Sequence, residues 1–150
     1  MPTTKKPKQH RRRSKVVVQR AAAGAPSAAL LTHFARAAAS ARAEVTLRVV
    51  GAPESGRLNE KYRMKNGPTN VLSFPYGGGS GDLVLCHPVI RKEAKEQRKT
   101  LAAHYAHLVV HGILHLRGHD HARKSDAARM ERREIRILRR LGIGDPYTVK

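Results

Sequence analysis

The sequence predicts an α+β domain in which a small mixed β-sheet packs against several helices. Short segments with apolar residues at every second position alternate with longer segments at helical spacing, in the order α-β-α-β-β-α-α-α. The chain has 150 residues, 40% of them hydrophobic, which suffices for one buried core. Aromatic residues make up only 4% and Trp is absent, so that core must be built from Ala, Val, Leu and Ile.

Residues 1–20 read as a disordered basic arm, followed by a single domain over residues 21–150. The arm carries Lys5, Lys6, Lys8, Arg11, Arg12, Arg13, Lys15 and Arg20, and the first acid of the chain is Glu44. It is not a secretory signal, because Val16, Val17 and Val18 run straight into Gln19 and Arg20. An Arg-rich, acid-poor start also suits a mitochondrial transit peptide, a minority reading beside that of a polyanion tether. From Pro26 to Arg42, Leu30, Leu31, Phe34 and Ala38 recur at helical spacing. "EVTLRVV" (Glu44 to Val50) alternates as a half-buried strand does. "ESGRLNEKYR" predicts a short helix closed by the turn signal "KNGP". "TNVLSFP" and "DLVLC" predict two strands joined by the glycine-rich "YGGGSG". A charged helix follows from Val89 to Lys99, and an apolar one from Leu101 to Leu116. The last helix, Asp126 to Leu141, sets Met130, Ile135, Ile137, Leu138 and Leu141 among arginines, and Gly142 and Pro146 mark its end.

Thirty Lys and Arg against eleven Asp and Glu give a net charge of +19. Such a balance points to polyanionic partners, nucleic acid or an anionic membrane surface, rather than to a fold. No apolar run is long enough to cross a membrane. The single Cys86 excludes an intrachain disulfide and, at the end of an apolar strand, reads as a buried small residue.

Histidine is concentrated in "HLVVHGILHLRGHDHAR", which places His107, His111, His115, His119 and His121 within fifteen residues. Residues four apart share a helix face at a rise of roughly 6 Å, so His111 and His115 can grip one metal ion. His119, on a continuing helix, would lie roughly 12 Å from His111 and could not share the ion. The chain must break, and Gly118 suits that break because it tolerates a left-handed backbone. Either His119 or His121 can then swing in, giving three imidazoles and an open fourth position, the mark of a catalytic zinc. In the H-E-x-x-H pattern of metalloproteases a Glu follows the first His as general base. Here Gly112 takes that place in "HGILH", which argues against a peptidase.

"HGILHLRGHDH" resembles the H-G-x-L-H-L-x-G-Y-D-H signature of the YbeY family, bacterial metal-dependent endoribonucleases of ribosomal RNA maturation. "LNEKYRMKNGPTNVLSFP", "GDLVLC" and "LGIGDPY" are similar to further family motifs, so the resemblance runs from about Glu44 to Tyr147. It implies a metal site at the C-terminal end of a central helix, with His111, His115 and His121 as ligands of one zinc or other divalent transition-metal ion. It also implies Arg63 as the active-site residue for RNA cleavage. A guanidinium suits that role, since it forks onto phosphate oxygens and keeps its charge. The implied function is single-strand-specific, metal-dependent cleavage in ribosomal RNA maturation, at the 3′ end of the small-subunit RNA, and in ribosome quality control. The implied partners are single-stranded or ribosomal RNA and the small subunit with its proteins, in the bacterial cytoplasm and without a membrane. The alternative is a non-catalytic RNA-binding assembly factor with a structural metal.

The chain departs from the family pattern where His119 stands in place of Tyr, where "YGGGSG" is shorter than the usual acidic loop, and in its excess of basic residues. His119 is open as a ligand, an RNA contact or an exposed residue. Asp120 can orient a ligand imidazole or only shape the turn. His107 and His104 share the face of His111 one and two turns earlier, and suit packing or a hydrogen bond behind the ligands. Thr69, Asn70 and Ser73 can line a cleft. Tyr62, Phe74, Tyr76 and Tyr105 are scattered in the sequence, so no stacking platform is expected. No general base can be assigned.

Overall fold

The structure, a computed structural model, describes residues 13–118 and 124–147. Its elements are β1 (Lys15–Arg20), α1 (Ala28–Ala38), β2 (Glu44–Val50), α2 (Ala52–Arg63), β3 (Val71–Gly77), β4 (Ser80–Cys86), α3 (His87–Glu96), α4 (Leu101–Leu116) and α5 (Lys124–Arg140). The four strands form one sheet in the order β1-β2-β4-β3. β1 pairs with β2 and β2 with β4 in parallel, whereas β3 and β4 form an antiparallel hairpin. The predicted α+β class and mixed sheet are both observed.

One element corrects the sequence reading. Lys15–Arg20 forms the edge strand β1, in register with Glu44–Val49 of β2, and does not belong to a disordered arm. Its backbone groups gain ladder partners that the flanking basic residues concealed, and Val16 and Val18 pack against the core. Residues 1–12 of the expected arm lie outside the described residues.

The sheet has two unequal faces. On one, Val45, Leu47 and Val49 of β2 with Leu83 and Leu85 of β4 meet Leu31 and Phe34 of α1 and Val109 and Ile113 of α4. α5 adds Met130, Ile137 and Leu138 from outside α4, making α4 the central helix. On the other face, Val50, Leu72, Val84 and Cys86 are covered by Leu58 of α2 and Val89 of α3. The burial of Cys86 agrees with its expected place.

α4 begins at Thr100, whose hydroxyl accepts from the Ala103 amide at 3.0 Å, a conventional N-cap. Its midpoint rests directly on the sheet. A Cβ at Gly112 would stand 2.8 and 2.9 Å from the methyl carbons of buried Leu83. The residue that replaces the Glu of a protease motif thus lies against the sheet, where any side chain would have to displace Leu83. α4 ends with Gly118 in the left-handed region (φ +90°), the break expected there.

Candidate metal centre and cleft

The half-buried His111 and His115 of α4 line a cleft of 650 Å³ together with β3 and the end of α2. Its walls are Asn59, Arg63 and Lys65 on one side and Thr69, Val71 and Ser73 on the other, over His111 and His115. The two imidazoles lie 5.0 Å apart between ring centroids, as their spacing of four predicts. Arg63 is the last residue of α2, and Met64 after it turns left-handed (φ 56°) and closes the helix. The Arg63 guanidinium donates to the Ser73 carbonyl at 2.6 Å, which steers it along the edge strand into the cleft. Asn59 is buried and donates to the Gly67 carbonyl at 2.8 Å, pinning the turn that carries Lys65. Asn70 is engaged elsewhere, donating to Glu93, which also meets His104 Nε2 at 2.9 Å.

Behind the imidazoles stands a residue that the sequence reading missed. Glu134 of α5 is fully buried, and its Oε1 lies 2.5 Å from His111 Nδ1 and 2.8 Å from the Tyr147 hydroxyl. His107 Nε2 approaches Oε2 at 3.2 Å. Burial alone would raise this carboxyl, but the hydrogen bonds and charge of His107 and His111 outweigh it and hold the pKa at about 2. Glu134 is therefore ionised and can only accept. It follows that His111 Nδ1 bears the hydrogen and, in the neutral ring, Nε2 bears the lone pair. Tyr147, pushed up by burial and then by the charge of Glu134, keeps its proton and donates.

His107, His111 and Glu134 make a group that fits a metal cofactor, with donor atoms all within 4.8 Å of one another. A signal for Glu134 was available: it falls between Met130 and Leu138 at intervals of four, so a carboxylate sits on the buried stripe of α5. Of the residues singled out from sequence, the fold gathers Arg63, His111, His115, Thr69 and Ser73 about one cleft and sets His107 behind it at Glu134. His104 sits further back, with its side chain only 3% exposed. His119, Asp120 and His121 lie outside the described residues.

Comparisons with known proteins identify the family. Residues 9–142 match the family described as Endoribonuclease YbeY, a span that takes in β1. The chain is 54% identical over 112 residues to the Endoribonuclease YbeY of Methylococcus capsulatus, covering 70% of this chain and 75% of that one. It is 50% identical over 125 residues to that of Aromatoleum aromaticum, covering 81% of each. A solution structure from Thermotoga maritima shares the fold at a TM-score of 0.57 and 22% identity, covering 88% of this chain and 99% of that one. With motif spacing, fold and sequence identity in accord, the chain belongs to the YbeY family.

Proposed function

We propose that this protein is a single-strand-specific, metal-dependent endoribonuclease that acts in ribosomal RNA maturation, at the 3′ end of the small-subunit RNA, and in ribosome quality control. The observation that carries the reading is the shared cleft, in which Arg63 faces His111 and His115. The names of the relatives support cleavage of RNA, and the charge of +19 supports a large polyanionic substrate.

In this proposal His111, His115 and His121 hold one ion, zinc in the first instance. The donor set fits, because Glu134 leaves His111 in the tautomer whose Nε2 carries the lone pair, and His115 projects from the same helix face. When bound, the ion would supply a Lewis acid. Arg63 neutralises and orients the scissile phosphate, its second nitrogen anchored on Ser73. Glu134, steadied by Tyr147 and His107, would keep His111 aimed. The proposed setting is the bacterial cytoplasm, with the small ribosomal subunit and its proteins as partners.

The test is chelation and repletion. Protein stripped of metal should lose cleavage of a labelled single-stranded ribosomal RNA fragment and regain it with one equivalent of zinc. His115→Ala should neither retain zinc nor cleave. Wild type that binds RNA tightly and never cleaves would favour the assembly-factor reading, in which the metal is a structural staple.

A further inference from the structure

We propose that Tyr62 and Phe74 form a stacking surface for an unpaired nucleobase flanking the phosphate that Arg63 grips. The inference rests on the proposed ribonuclease function and extends it to how the substrate is chosen. The two rings are twelve residues apart in the chain, which is why the sequence shows only scattered aromatics. The fold brings them together: Tyr62 ends α2, Phe74 lies on β3, and their centroids are 5.4 Å apart in an edge-to-face pair.

Three observations carry the proposal. First, the surface is open. Tyr62 is 53% exposed, and Phe74 is half-buried, its inner side packed against the cluster of Leu72 and Val84. Met64, two residues after Tyr62, and Tyr76, two residues after Phe74, are 90% and 69% exposed. Second, it is continuous with the cleft through one residue. The Arg63 guanidinium carbon lies 5.8 Å from the Phe74 ring centroid, while the same side chain lines the cleft with His111 and His115. Third, its rim is cationic. Lys61 Nζ stands 5.2 Å over the Tyr62 ring, and Lys65 lines the cleft on the far side of Met64.

An occupant of this surface must offer both a flat π-face and negative charge at short intervals. Single-stranded nucleic acid does so, and every base has such a face. A duplex does not, because its bases already stack on one another and present only edges and backbone. The arrangement thus selects unpaired strands by geometry. The lysine over Tyr62 is exposed and can turn to a phosphate as a base takes its place on the ring.

The test uses the full-length, zinc-loaded protein as wild type, Tyr62→Ala and Tyr62→Phe. Each is titrated with a single-stranded oligoribonucleotide and with an abasic ribose-phosphate oligomer of the same length, which keeps the charge and lacks the bases. Wild type should bind the base-bearing strand about tenfold more tightly, or about 1.4 kcal/mol, within the range for one stacked base. Tyr62→Ala should lose that discrimination and show a correspondingly raised KM with kcat little changed. Tyr62→Phe, which keeps the ring, should behave as wild type. If Tyr62→Ala discriminates as wild type does, or Tyr62→Phe loses as much as Tyr62→Ala, the stacking surface is overturned while the ribonuclease reading stands. Wild type that binds neither oligomer would overturn both.

Discussion

Replacing Glu134 with Gln keeps the shape of the side chain and removes its charge, so it isolates what the carboxylate does. In the wild type the 2.5 Å contact joins an N–H of His111 to an anion. A hydrogen bond to a charged group exceeds its neutral counterpart by about 1–2 kcal/mol, and about 1.4 kcal/mol is a factor of ten. Zinc affinity should therefore fall by about 5- to 30-fold, which overlaps the range of about 10- to 100-fold in which partners behind a metal ligand act. Isothermal titration against a competing chelator at neutral pH reads this directly. Affinity within about twofold of wild type would refute the claim that Glu134 aims His111. A loss beyond about a thousandfold would instead place the carboxylate on the ion, in the His107–His111–Glu134 group. The substitution also has a pH signature. The Glu134 carboxyl titrates at about 2 in the fold, against a reference value of 4.5. Its contribution to stability is therefore complete above the reference value and is lost as pH falls toward 2. Glu134→Gln should flatten the acid limb of the urea-denaturation profile across that window.

Tyr147→Phe removes one oxygen, the donor 2.8 Å from Glu134, and should lower unfolding stability by about 1–2 kcal/mol in urea; an unchanged midpoint would exclude the bond as a stabiliser. Gly112→Ala gains about 1 kcal/mol of helix propensity but drives a methyl into buried Leu83, and overpacking of this kind costs about 1–3 kcal/mol. The expected net effect is a loss of about 1 kcal/mol, and a more stable variant would show that Leu83 yields freely. His87 and His104 are both shifted down, His87 by burial and then by Arg91, His104 by burial that outweighs the pull of Glu93. Their folded pKa values thus lie below that of the unfolded chain, so their contribution is complete above about pH 6.5 and declines as pH falls. The urea midpoint should drop on acidification from neutrality, and a rise would contradict this sign.

The strands and helices that the sequence disclosed are those whose burial repeats locally. Val45, Leu47 and Val49 alternate inward along β2, and each is buried. β1 was hidden because its stability comes from a parallel partner some thirty residues away, while its own neighbours are basic. The same distinction separates the parts of the site. His111 and His115 are one helical turn apart and legible as a pair. Arg63 was reached through motif resemblance, since its place opposite the histidines depends on how β3 packs against α4. Glu134 lies 23 residues from His111 in the chain, and only the docking of α5 on α4 joins them. Its one local sign was a carboxylate at the intervals of a buried stripe. The Tyr62–Phe74 pair carried none, because a helix end and an edge strand meet only in the folded chain.

The central claim is that Arg63 and the histidine cluster act together on one phosphodiester bond. The measurement that tests it most directly is cleavage of a labelled single-stranded ribosomal RNA fragment by Arg63→Ala, with its zinc content and RNA affinity determined on the same preparation. The account predicts a variant that holds one zinc, binds the RNA to within about tenfold of wild type, and cleaves at least about a hundredfold more slowly. Cleavage at the wild-type rate, unaffected by chelator, would contradict it.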